Sequence, residues 1–163
     1  MADFGSQIYI GTPNGVVFLI NGRSGAELDA EYYTSYSKEA HKVTNWDQFF
    51  FELDKFFDDL RFPYPTTNIR SFTGDVKRSY PEPARPKVMK DEELLMKHGD
   101  LGSFIIRVQH RQNSSWQGRI TWMEKNQTMY FRSAWEMMKL IESALDTVAP
   151  PEEGEENLSW ETE

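Results

Sequence analysis

The sequence predicts an α+β protein in which antiparallel β-hairpins are each followed by an amphipathic helix, the two units reading as an internal duplication about a pseudo-two-fold. Three observations carry that expectation. Segments 7–20 and 103–131 are rich in β-branched and aromatic residues and are broken by turn residues. Two windows, after Asn45 and after Ser133, place apolar residues on one helical stripe behind a polar cap. The stripes superimpose at an offset of 88 residues (Asn45 onto Ser133): Phe49 falls on Met137, Phe50 on Met138, Leu53 on Ile141, Phe56 on Ala144, Phe57 on Leu145 and Leu60 on Val148.

In chain order, 7–10 (QIYI) and 16–20 (VVFLI) read as strands joined through Thr12-Pro13-Asn14-Gly15, because Asn-Gly suits the positive-φ turns that close hairpins. Asn21-Gly22 and Ser24-Gly25 interrupt the second strand, and 31–36 (EYYTSY) offers a further one. Asn45 caps the first helix, Gln48 completes a capping box, and Phe62-Pro63-Tyr64-Pro65 ends it. Prolines 63, 65, 81, 83 and 86 give 63–102 the character of a crossing segment, with a short helix at 90–98 that stops near Gly99. Residues 103–111 and 116–123 alternate as a hairpin, Glu124-Lys125-Asn126-Gln127 turns, and 128–131 (TMYF) adds a third strand. Ser133 and Glu136 spell the capping box of the second helix, which Pro150-Pro151 stops. The chain therefore divides into a first unit (1–62), a connecting segment (63–102), a second unit (103–149) and an acidic, disordered tail (150–163).

Burial selects the register of the second hairpin. An odd loop at 113–115, with 112 opposite 116, gathers Arg107, Gln109, Arg111, Gln117, Arg119 and Thr121 on one face. Phe104, Ile106, Val108, Gly118, Ile120 and Trp122 then share the other. A slip of one residue would turn the apolar set into solvent. Arg107, Gln109, Arg111, Gln117 and Arg119 form a candidate anion or ligand face, because a guanidinium presents a rigid fork of donors to carboxylate or phosphate. A polar outer face is also what an antiparallel sheet with one wet side carries.

Composition narrows the function. Hydrophobic residues make up 39% of the chain and aromatics 14%, enough for a packed core. Without cysteine there is neither a disulfide framework nor a thiolate metal site, and His41, His98 and His110 show no ligand spacing. The net charge of −8 is concentrated in the last fifteen residues, which hold six glutamates. Such a chain is a poor polyanion binder, which disfavours nucleic acid. No signal peptide or membrane-length apolar run is read, so a cytoplasmic protein is expected.

Two resemblances attach to 104–145. Arg107-x-x-x-Arg111 with Asn113-x-Ser115-x-x-Gly118 resembles the letters of PilZ domains, which bind cyclic di-GMP and in which these five residues would be ligand contacts. In that family the arginine motif precedes the Asn-x-Ser strand by some twenty residues and wraps over the ligand. Here one residue separates them, and the six-stranded barrel pattern is missing, which disfavours the match. The elements QNSSWQG, ITW and FRS leading into LIESAL resemble a segment of small uncharacterised bacterial proteins. That likeness implies a bacterial origin and a shared fold, with no activity attached.

Hydrolase, metalloprotease, P-loop and dinucleotide-binding motifs are absent, and Asp58-Asp59 and Glu92-Glu93 are helix neighbours that point apart. The expectation is a non-enzymatic binding or regulatory protein without cofactor or metal. Its partner is another protein or a small anion, met on the Arg/Gln face, or a second copy of itself, met through an exposed strand edge. A PilZ-type nucleotide receptor and a self-assembling structural module stand as alternatives.

Overall fold

Val16-Val17-Phe18-Leu19-Ile20 is apolar on both sides of its pleat, and so is 104–106; the fold places both runs where both sides are covered. In the computed structural model, which describes residues 8–65, 70–74 and 86–149, strands β1 (Val16–Ser24) and β4 (Gly102–His110) form the centre of one sheet. They pair antiparallel, with Phe18 opposite Phe104. Strands β2 (Glu27–Thr34) and β3 (His41–Asn45) extend one side, and β5 (Gln117–Trp122) and β6 (Gln127–Phe131) the other. The result is a six-stranded antiparallel sheet in the order β3-β2-β1-β4-β5-β6.

Helices α1 (Trp46–Leu60) and α3 (Ala134–Val148) bury their stripes on one face of the sheet. Phe18 stacks on Phe49 at 4.0 Å, and Trp116 meets Phe57 edge-on at 5.4 Å. The short helix α2 (Asp91–Leu95) supplies Leu94 to a second, smaller core on the opposite face, with Ile10, Val17, Leu19, Met89, Ile105 and Met123. The caps form as their sequences promise. Asn45 Oδ1 accepts from Gln48 N at 2.8 Å, and Ser133 Oγ accepts from Glu136 N at 3.0 Å. Each capping-box side chain reaches one residue further back than the usual motif: Gln48 Oε1 accepts from Thr44 N, and Glu136 Oε1 from Arg132 N.

Two expectations are corrected. Residues 8–10 are not a strand, and the first hairpin is β1/β2, turning at Gly25 (φ 60°). Both edges of β1 are already occupied by β2 and β4, so the N-terminal segment crosses the open sheet face instead and buries Ile10 there. Each long helix accordingly follows a three-stranded meander rather than a hairpin. The proposed tail at 150–163, and Tyr80, Pro81 and Pro83 of the connecting segment, lie outside the described residues. Among the described residues no helix is long and apolar enough to cross a membrane.

Candidate functional site

Strands β4 and β5 align Phe104 with Trp122, Ile106 with Ile120, Arg107 with Arg119 and Val108 with Gly118. This alignment differs by two residues from the one the sequence suggested, which preserves the faces. Arg107, Arg119 and Thr121 point away from the helices, and Ile106, Val108 and Ile120 point into their core. Between Val108 and His110 the register shifts. A β-bulge at Gln109 adds one residue to β4 and reverses the side-chain sense beyond it. Gly118 permits this crowding, because a Cβ there would sit 2.0 Å from the Arg107 carbonyl oxygen.

The bulge divides the five residues of the candidate face. Arg111 turns to the helix side, where its Nε donates to the Pro63 carbonyl (2.9 Å) and its Nη1 to Asp58 (2.8 Å) and Asp54 (3.4 Å), over the Phe57 ring. Gln109 is half-buried at the bulge, and His110 is exposed beside it. Gln117 closes the hairpin: its amide bonds Gln112 N and O, and it donates to the Arg132 carbonyl. Asn113 and Ser114 take left-handed turn conformations (φ 55° and 57°), and Ser115 Oγ accepts from Ala134 N at 2.9 Å. Arg107 and Arg111 thus leave the strand on opposite faces, while Ser115 and Gly118 serve the hairpin itself.

What remains on the face opposite the helices is a pair of arginines with no acidic partner among the described residues. Arg107 is 2% exposed. Its Nε donates to the Ile10 carbonyl (2.8 Å), its Nη2 to the Tyr9 carbonyl and its Nη1 to Thr121 Oγ1 (2.9 Å), with the Tyr9 ring 5.0 Å away. These partners are neutral. Burial, with the charge of Arg119 second, lowers the Arg107 pKa from its ordinary value. Arg119 lies directly across the ladder, half-buried, and its Nε is buried without a hydrogen-bond partner. Tyr130 on β6 stands opposite Arg119 and is exposed, and beside it the hydroxyls of Thr121 and Thr128 meet at 2.8 Å.

Like charges directly opposed on a ladder repel, and a buried charge is costly until paired. An oxyanion set against Arg119 would relieve both penalties. The sequence reading missed the Tyr9 and Ile10 carbonyls, which roof the site only because 8–11 crosses the sheet. It also missed Asp54 and Asp58, whose spacing of four on α1 signals a shared helix face but not a strand arginine beneath it. The three histidines stay apart: His41 stacks on Tyr32, His98 is 3.6 Å from Glu124, and His110 is exposed. Among the described residues no three His, Asp or Glu side chains gather as a metal-binding group. No protein-family model, curated protein or solved structure matches the chain.

Proposed function

We propose that the protein is a non-enzymatic binding module that takes an oxyanion of a partner protein, a carboxylate or phosphate group, on Arg119, with Arg107 behind it. The observation that carries the reading is the opposed guanidinium pair, in which, among the described residues, Arg107 bonds only neutral groups and Arg119 Nε bonds none. Three features support it. Arg107 is held by two carbonyls and a hydroxyl, so its charge is oriented before any ligand arrives. Arg119 makes no hydrogen bond or ion pair among the described residues, and its Nε is buried. The neighbouring Tyr130 and Thr128 add hydroxyls at the rim.

We also infer an internal duplication of the β-β-β-α unit, which makes the arginine pair informative. Shifting by 88 residues carries α1 onto α3 end to end (Trp46 onto Ala134, Leu60 onto Val148). The same shift carries the β1/β2 pair Leu19–Glu31 onto the β4/β5 pair Arg107–Arg119, and the β2/β3 pair Ala30–Val43 onto the β5/β6 pair Gly118–Phe131. It also carries the β1 irregularity at Asn21 onto Gln109, and the Gly25 turn onto Asn113. The counterparts of the two arginines are a buried leucine and a glutamate that is bonded to Lys42. The fold therefore does not require cations here.

The test is thermal melting in phosphate, citrate and a glutamate-rich peptide against chloride at equal ionic strength. A ligand that binds only the native state at about 100 times its dissociation constant adds roughly 2.7 kcal/mol. The melting temperature of the native chain should rise with anion concentration more steeply than that of Arg119→Gln, which reports only the general salting effect. Equal shifts in both would refute the site, and the peptide arm separates a protein carboxylate from a free anion.

A further inference from the structure

We propose that strand β6 is a dimerisation edge, pairing antiparallel with β6 of a second copy across a two-fold to join two six-stranded sheets. Among the described residues the sheet ends at two edges, β3 and β6, which the proposed 88-residue correspondence makes equivalent. The β3 edge is protected: it carries Lys42, ion-paired with Glu31 at 2.9 Å. A charge on an edge strand discourages pairing with another chain. At the corresponding place β6 has Tyr130, and the whole strand, Gln127-Thr128-Met129-Tyr130-Phe131, holds no charge, proline or glycine. Four of its five residues are exposed, with Met129 at 56% and Tyr130 at 74%.

The layer above the two edges differs as well. Beneath α3 a cavity of about 140 Å³ runs from Phe104 past Ile120 and Trp122 to Met129 on the edge strand, closed above by Leu140 and Ala144. In the first unit the places of Ile120 and Ala144 are held by the larger Tyr32 and Phe56, and those of Phe104 and Trp122 by the smaller Val16 and Thr34. The second edge is therefore uncharged and lies beside an apolar cavity.

Self-complementarity selects a second copy as the occupant. A strand that pairs with itself about a two-fold sets its central residue against its own image and the flanking residues against each other, so any charge near the axis would lie close to a like charge. This strand has none. With the axis at Met129, Thr128 falls opposite Tyr130 of the other copy on one face, an aromatic and β-branched pair that favours cross-strand packing. On the other face the two Met129 side chains meet beside the cavities under each α3. This inference does not rest on the anion site, and its failure would leave that reading standing.

Light scattering on the full chain from micromolar to high-micromolar concentration decides it. The expected mass rises with concentration from 19.1 kDa towards twice that value. Tyr130→Lys and Met129→Lys should each hold the chain at the monomer mass with an unchanged circular-dichroism spectrum, and Thr44→Lys on the opposite edge should leave the dimer intact. A native chain that stays monomeric throughout overturns the proposal. So does a dimer that survives both β6 substitutions, or one abolished equally by Thr44→Lys.

Discussion

Arg107, Arg111 and Arg119 sit within thirteen positions of one hairpin and occupy three different electrostatic situations. Arg111 is buried between two aspartates, a carbonyl and a ring, so Arg111→Ala strands the Pro63 carbonyl and loses the packed stem. The expected loss is about 2 kcal/mol, read as a melting temperature lower by roughly 4–8 °C. Arg119 is half-buried and makes no hydrogen bond among the described residues, so Arg119→Ala should cost less than Arg111→Ala, about 1 kcal/mol or less. Gly118→Ala is the severe change of the set. Its Cβ would lie 2.0 Å from a backbone oxygen, and a loss of about 4 kcal/mol or more is expected in denaturant unfolding. The sorting of Arg107 from Trp122 was legible in the alternation of the strands, because burial of one face allows only one parity. The turn of Arg111 to the helix side was not legible. A bulge depends on the close approach of Gly118 to the opposite backbone, and a glycine in a strand pattern does not by itself announce which neighbour it admits.

At the scale of elements, both long helices could be read from sequence to within a residue. Cap chemistry and the apolar stripe are local properties, and packing reinforced both. Phe49 is fully buried between Phe18, Tyr32 and Trp46, and Phe49→Ala should cost about 3–5 kcal/mol. The cap of α3 gives a dependence on pH. Hydrogen bonds from the Arg132 side chain, and then from its backbone, lower the Glu136 pKa to about 2. A carboxyl whose folded pKa is depressed contributes stability that is present above its unfolded value, about 4.3, and is lost as pH falls towards the folded value. Native protein should therefore lose stability between about pH 4.5 and pH 2 more steeply than Glu136→Gln, whose acid limb is shallower at that step. A parallel pair of acid limbs would show that the exposed Arg132 contributes nothing through this contact. The N-terminal segment defeated sequence reading for the opposite reason. Ile8-Tyr9-Ile10 has strand composition, but β1 had no free edge to offer it, and edge availability is a property of the whole sheet.

At the scale of the molecule, two β-β-β-α runs meet through β1 and β4, and the proposed duplication pairs their core positions at an offset of 88 residues. That near-symmetry gives meaning to the differences between the units. The second unit carries cations where the first carries Leu19 and Glu31, an uncharged edge where the first carries Lys42, and the aliphatic Ile120 and Ala144 where the first carries Tyr32 and Phe56. The proposed anion site and dimer edge both rest on these departures, on the β5/β6 side. The central claim is that Arg119 is an open oxyanion donor backed by an oriented Arg107. The most direct measurement is the proton–nitrogen resonance of the arginine Nε groups during titration with phosphate and with a glutamate-rich peptide at fixed ionic strength. The account predicts a saturable shift of the Arg119 resonance, a smaller one for Arg107 and none for Arg111, which already holds its aspartates. Unmoved Arg119, or equal drift of all three, would contradict it.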